Sequence, residues 1–405
     1  MFKLIYLKIP DIVLMKILFI SENYYPLLSG VPVVVKYLAE GLVTRGHDVS
    51  VLTQRPKDQE ACSVVNGVNV YRFDIYKDFF HVYRGDKRAY FNFALNFETD
   101  VIIFECAQCI TTDLLLPYIG NLKAKKILHS HGFSGVEAPF FKIQPDIIHT
   151  LGTTYNWVRN KWYYGSIIPK ALPKFDKILC LAETDNTMDY LNARGYESIV
   201  LDNAADNMFF QNIEDKKALS KYALLENDNY MMSCANYQFV KDQITIINEY
   251  YRSDSSRTTS LVCIGSQKNA YYEECLRIVV ENEKKYGHRD VHFLVGVDRK
   301  DIPSIVNGSC LYLVASRCER YSISIIEAMS QGVPFISTNV GNARILPGGI
   351  TLMGNDTMSE KIDYLLTNKE EYKKYSTVGR EFAYKNCRID NVISKLECII
   401  EEVCI

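Results

Sequence analysis

The chain has 405 residues, 48% of them hydrophobic and 23% charged, which allows two domains with ordinary globular cores. That composition excludes a disordered or fibrous chain. The net charge of −2 offers no basic surface for nucleic acid.

Residues 1–20 are apolar, but Lys3, Lys8, Pro10, Asp11 and Lys16 interrupt them. No run there reaches the ~20 residues of a membrane helix, and no small-residue cleavage site follows. Residues 1–14 are therefore read as an extension, with Met15 as an alternative start. Ile17–Ser21 is predicted as the first strand. Gly30 then opens a helix, with Pro32 in its first turn, where proline is tolerated. Val31, Val34, Leu38 and Leu42 recur at helical spacing, and Gly46 ends the helix. Val49–Thr53 is the next strand, so the first unit is βαβ and the sheet parallel. Val101–Phe104, Lys126–His131 and Lys177–Leu181 read as later strands. Cys106 and Cys109 form a C-x-x-C, but no second such pair completes a zinc site. The twelve cysteines are read as reduced, mostly buried thiols of a cytoplasmic protein. Both tryptophans, Trp157 and Trp162, fall in Tyr155–Tyr164 with Arg159 and Lys161, and Lys170, Lys174 and Lys177 follow. This aromatic, basic stretch suits a membrane interface over 155–177, an acceptor site or a core.

A domain boundary is predicted near Ile199–Asp206. Beyond it the strands Tyr230–Ala235, Ser260–Gly265, Val291–Val295, Cys310–Ala315 and Val333–Ser337 alternate with helices near 241–252, 271–286 and 321–331. Ile389–Val403 is an amphipathic last helix. Within this half, Glu319 and Glu327 stand eight positions apart, between an apolar strand and Gly332. The intervening helix is predicted to start near Ser322. Its first N–H groups, from Ser322 through Ile323 to Ser324, would cradle an anion at the strand's carboxyl edge. The serine hydroxyls are read as helix caps. At 1.5 Å per residue the two carboxylates are up to roughly 12 Å apart, the layout of sugar, diphosphate and ribose. Asp-x-Asp and Gly-x-Gly are both missing, which removes a metal-diphosphate signature and a dinucleotide fingerprint.

The segment Glu319–Pro334 resembles the E-x7-E motif of family-4 retaining glycosyltransferases. Other segments resemble that family in the same order. They are Met15–Ser21, Tyr25-Pro26, Ser29-Gly30-Val31, Arg45–Val49, Asp202–Asp206 with Phe209, and Asn236–Lys241. The resemblance covers roughly residues 15–400. It implies an α/β protein of GT-B fold, with two Rossmann-like parallel-sheet domains facing each other across a cleft. Residues 15–200 would bind acceptor and 201–385 nucleotide sugar, with 389–403 crossing back to the first domain. It also implies sugar transfer with retention and without a metal, from a nucleoside-diphosphate sugar, UDP-sugar foremost, to a glycan or lipid-linked hydroxyl. No cofactor beyond that co-substrate is expected. The setting would be bacterial polysaccharide, capsule or lipopolysaccharide synthesis.

By the same resemblance Glu327 holds the ribose hydroxyls, since a carboxylate offers two acceptor oxygens to a vicinal diol. Glu319 contacts the transferred sugar. Lys241 faces the departing diphosphate, Gly30 lets a loop approach it, and His131 lies near the reacting sugar, with His129 as its alternative. Asn236 stands where the family has an arginine, so one phosphate cation is missing. That departure keeps a non-catalytic nucleotide-binding or partner subunit open, beside a sugar-nucleotide epimerase.

Overall fold

The computed structural model describes residues 14–27, 30–78, 82–133, 135–136, 147–211, 217–222 and 229–404. Residues 1–13 of the expected extension and Ser29 lie outside them. The chain divides into two units. The first comprises residues 1–180, 189–199 and 393–405, and the second residues 181–188 and 200–392.

Among the described residues, the first unit holds β1 (Lys16–Ile20), β2 (Asp48–Gln54), β3 (Cys62–Val65), β4 (Val68–Phe73), β5 (Ile75–Lys77), β6 (Tyr83–Gly85), β7 (Val101–Glu105), β8 (Lys125–His129) and β9 (Lys177–Cys180). The two-residue β10 (Ile199–Val200) closes its main sheet, ordered β10-β9-β8-β7-β1-β2-β4-β3. β1 pairs in parallel with both β2 and β7, so the strand order reverses beside it. β3 and β4 form an antiparallel edge, and β5 and β6 a separate hairpin. The helix Val31–Thr44 buries Val34, Val35, Leu38 and Leu42, as its periodicity requires. The closing helix Ile389–Cys404 belongs largely to this unit. Its Ile393 lies where any side chain on Gly41 would have to go, with 2.0 Å to a Cβ built there. Its Glu397 accepts from Arg45 and lies 2.9 Å from His47 Nε2.

The second unit is built on β11 (Tyr230–Cys234), β12 (Ser260–Gly265), β13 (Val291–Val295), β14 (Leu311–Val314), β15 (Phe335–Ser337) and β16 (Gly349–Thr351). Their order is β13-β12-β11-β14-β15-β16, all parallel. Counted from the unit's first strand this is 3-2-1-4-5-6, the doubly wound order. Its strands alternate between two cores. Met231, Leu261, Leu311 and Leu313 pack with Ile246, Ile247 and Tyr250 of the helix Gln243–Arg252. Tyr230, Met232, Val262 and Tyr312 pack with Ile325, Ile326 and Met329 of the helix Ile323–Ser330. Parallel strands covered on both faces need this apolar continuity.

Two expectations are corrected. The strand predicted over Lys126–His131 ends at His129, and His131 turns away at φ +50°. The cysteines are not mostly buried: five are, four are half-buried and three exposed. Several stand at strand and helix ends, where neighbours cover only one side. No described helix is long and apolar enough to cross a membrane.

Candidate active site

In the second unit the order reverses between β11 and β14, and ligands of doubly wound sheets bind at such a point, beyond the carboxyl ends of the strands. A cavity of about 300 Å³ lies there. Ser233 and Cys234 from the end of β11, then Asn236 and Lys241, line one side. Val314 from β14, Ser316, Glu319 and Ser322–Ser324 line the other. Six of the residues singled out in the sequence thus share one cavity: Asn236, Lys241, Glu319, Ser322, Ile323 and Ser324.

Local chemistry sets each of them in place. Lys241 ends a turn closed by its N–H on the Gln238 carbonyl, 2.9 Å. Asp242 follows at φ +50° and caps the helix Gln243–Arg252 through Thr245 N–H. Arg317 holds the same Asp242 carboxylate at 2.7 Å and stacks on Phe239, 4.1 Å from guanidinium carbon to ring centroid. Lys241 Nζ donates to Glu319, which also accepts from Ser316 Oγ at 2.8 Å. The two side chains are only 27% and 14% exposed.

The helix Ile323–Ser330 starts one residue past Ser322, close to the predicted start. The capping role read for its serines is not seen for Ser322. This hydroxyl makes no bond to the helix end and lies 3.4 Å from Ser324 Oγ. Asn342 Oδ1 accepts from Ser322 N–H instead, at 2.8 Å. The N–H groups of Ile323 and Ser324 have no acceptor inside the helix, and both residues line the cavity. The arrangement offers an anion a lysine ammonium and a helix N-terminus together.

Glu327 lies one turn further on. The helix around it is buried almost all round, through Ile325, Ile326, Ala328, Met329 and Ser330. A carboxylate there is costly unless paired. Burial pushes its pKa up, and Arg299, which donates to Oε1, pulls against that rise. Arg299 also stacks on Phe209, 5.0 Å from the ring centroid. Burial, then the nearby Glu327 charge, pushes the Cys234 thiol up to about 12, but Glu327 itself is not among the residues that line the cavity. Arg299 was missed in the sequence. Its one signal is its place three residues past Gly296, which follows the carboxyl end of β13 at φ +67°.

The first unit holds the other two singled-out residues. Gly30 caps the helix Val31–Thr44 at φ +65° and ψ −126°, and a Cβ there would meet nothing within 4 Å. The backbone, not a packed neighbour, demands glycine. His131 Nε2 lies 2.5 Å from Glu105 Oε2, and His129 Nδ1 lies 3.0 Å from the same oxygen. Glu105 is the last residue of β7 and stands in register with His129 on β8. Burial alone would raise its pKa, but the two imidazoles overcome that and hold it at about 2. The carboxylate therefore orients His131 through Nε2 and leaves Nδ1 as the ring's other nitrogen. The three ligand atoms lie within 4.8 Å, a spacing that would admit a metal ion. Of the two histidines, only His131 is hydrogen-bonded to Glu105; both ring nitrogens of His129 and Glu105 Oε1 are buried without a hydrogen-bond partner among the described residues. Glu105 too was missed, although a lone carboxylate ending the apolar run Val101–Phe104 is its signal.

The family model "Glycosyl transferases group 1" matches residues 214–382, and "Glycosyltransferase Family 4" matches residues 28–198. The chain belongs to the GT-B glycosyltransferases. The N-acetyl-alpha-D-glucosaminyl L-malate synthase of Bacillus anthracis is 22% identical over 189 residues, 45% of this chain and 48% of that protein. The chain spans about half the length of the curated relatives it matches. Among solved structures, a glycosyltransferase from Rickettsia africae superposes with a TM-score of 0.71 at 16% identity, covering 96% of this chain and 98% of that one. Anabaena HepE, in complex with UDP and glucose, gives 0.69 at 15% identity, covering 96% and 100%. At such identities the likeness is one of fold.

Proposed function

We propose that this glycosyltransferase moves a sugar, with retention, from a nucleoside-diphosphate sugar to a hydroxyl of a glycan or lipid-linked acceptor. UDP is the foremost nucleotide, as in the Anabaena relative's complex. One observation carries the reading. Lys241, Glu319 and the start of the helix Ile323–Ser330 meet in one cavity at the strand-order reversal of the second unit. Lys241 and the N–H groups of Ile323 and Ser324 would take the diphosphate. Glu319 would meet the sugar hydroxyls, and Glu327 the ribose. Positive groups fixed where charge gathers on the leaving phosphate lower the barrier without reorganising. The departing phosphate would take the acceptor proton in a front-side attack. In the first unit Gly30 would admit the loop to the diphosphate. His131, oriented by Glu105, would lie by the reacting sugar. No metal is needed in this scheme, so turnover should persist in excess EDTA. The segment 155–177 would serve the acceptor side, with docking at a membrane surface as its competing use.

A panel of UDP, GDP, ADP and their common sugars, read by thermal shift, tests the donor. Ligand at a hundred times its Kd adds about 2.7 kcal/mol. A midpoint unmoved by every nucleotide would remove the reading. A second reading follows from Asn236, which lines the cavity where the family has an arginine. Nucleotide binding without turnover across acceptors would favour a non-catalytic subunit.

A further inference from the structure

The first unit has its own cavity, of about 340 Å³, at the lower end of the range for small-molecule sites. Tyr155, Arg159 and Trp162 line it from one face of the helix Ile147–Trp162, at spacings of four and three. That helix passes directly into a π turn, Tyr163–Ile167, whose first and last residues also line the cavity. Such turns are frequent at functional sites. A fixed hydrogen-bonded chain ties this helix to the facing residues. Tyr83 and Tyr163 donate to the two oxygens of Asp113. Tyr163 Oη accepts from Gln108 N–H at 2.7 Å, and Gln108 Nε2 donates to Asn160 at 2.6 Å. Gln108 sits at φ +63° and Cys106 at φ +69°, backbone that side chains rarely adopt.

The lining carries both a guanidinium and exposed aromatic surface. Tyr155 is 53% exposed and Trp162 61%, at the cavity rather than in a core. Asp113 is spent on its two tyrosines. Arg159 is paired with no acid among the described residues, and its Nε is buried without a hydrogen-bond partner. Lys77 is held at 3.5 Å from Glu22 and 3.4 Å from the Gln108 carbonyl. The lining is thus aromatic with a positive remainder. An aromatic face takes the C–H face of a pyranose ring, and a guanidinium takes a carboxylate or phosphate by paired N–H donors.

We propose that this cavity binds the acceptor as a sugar ring bearing an anionic group, with the ring on Trp162 or Tyr155 and the anion on Arg159. The assignment of the occupant as acceptor rests on the donor reading of the second unit. Two sources carry the shared chemistry: a uronic acid residue and a sugar phosphate.

The chain's two tryptophans make the test direct. Intrinsic fluorescence is titrated with a glucuronate-terminated disaccharide, glucose 6-phosphate and maltose. Saturable quenching by either acidic probe, at least tenfold tighter than by maltose, is expected, and the responding probe names the source. Trp157→Phe should keep the response and Trp162→Phe abolish it. Arg159→Gln should weaken the acidic probe at least tenfold, while Arg159→Lys, which keeps charge and fold, should retain part of the affinity. Equal response to maltose, silence toward all three, or a tryptophan blue shift on anionic vesicles without any sugar response would overturn the proposal. UDP calorimetry on the same protein reports the donor site separately, so failure of one reading is distinguishable from failure of the other.

Discussion

Replacing Glu319 should tighten one donor-side ligand and not the other. In the ligand-free chain Lys241 is already engaged by Glu319, with Ser316 Oγ 2.8 Å from the same carboxylate oxygen. A diphosphate that approaches Lys241 must compete for the ammonium. Two unit charges about 4 Å apart interact by about 4 kcal/mol at an effective dielectric of 20. Most of that is returned as solvation, since exposed pairs net about 0.2–1 kcal/mol and charged hydrogen bonds about 1.5–3. At 27% and 14% exposure the Lys241–Glu319 pair falls between these limits, near about 1–2 kcal/mol. Glu319→Gln keeps the shape and the Ser316 contact but releases Lys241. UDP should then bind about five to thirty times more tightly. The intact sugar nucleotide gains the same release and loses its sugar contact, so its affinity should not improve and turnover should fall. Isothermal titration of both ligands at fixed ionic strength reads the effect. Equal weakening of both ligands, or a UDP affinity that does not change, would refute the reasoning, because it would mean that Lys241 never meets the phosphate.

Glu327→Ala should weaken UDP and the sugar nucleotide alike, by about 1.5–3 kcal/mol, in the same titrations. Its Arg299 partner is 54% exposed and can return to water, so the thermal midpoint should fall only modestly. Asn236→Arg should tighten UDP binding about tenfold; an unchanged Kd would mean that the side chain points away from the phosphate. Glu105 predicts an acid-side effect. Its folded pKa lies below its unfolded value of about 4.5, so its contribution is present above that value and is lost as pH falls toward about 2. Urea melts between pH 6 and 2 should show a shallower loss for Glu105→Gln than for the wild type. Parallel curves would show that the imidazoles do not hold this carboxylate.

The sequence patterns were plainest where burial was complete. Ser260–Gly265 is found residue for residue, because a strand covered on both faces reads as an apolar run, and Val291–Val295, a half-buried edge strand, is found through its β-branched and aromatic residues. Gly349–Thr351, a three-residue edge strand, carries no such run. The helix Ile147–Trp162 read only as an aromatic, basic stretch, since Tyr155, Arg159, Lys161 and both tryptophans dominate its second half. At the candidate site, the loop and helix residues were legible because glycines, a proline and two spaced glutamates mark them locally. Their partners were not. Lys241 and Glu319 are 78 positions apart, Arg299 and Glu327 28, and Glu105 and His131 26. Yet the demand for a partner was legible in each case. An acid set at the end of an apolar strand, or inside an apolar helix, must be desolvated on folding and cannot stay charged alone. Parallel sheets gather strand ends at one edge, so the compensating base must come from an adjacent strand's carboxyl end. His129, in register with Glu105 on the neighbouring strand, satisfies that rule, whereas Arg299 reaches Glu327 from beyond β13, the edge strand on the far side of β11 and β12. The same rule explains why a carboxylate shares the cavity with Lys241. A lysine held beside a glutamate is positioned without a ligand, and is released only to a group with more negative charge, which a diphosphate has and a neutral sugar does not.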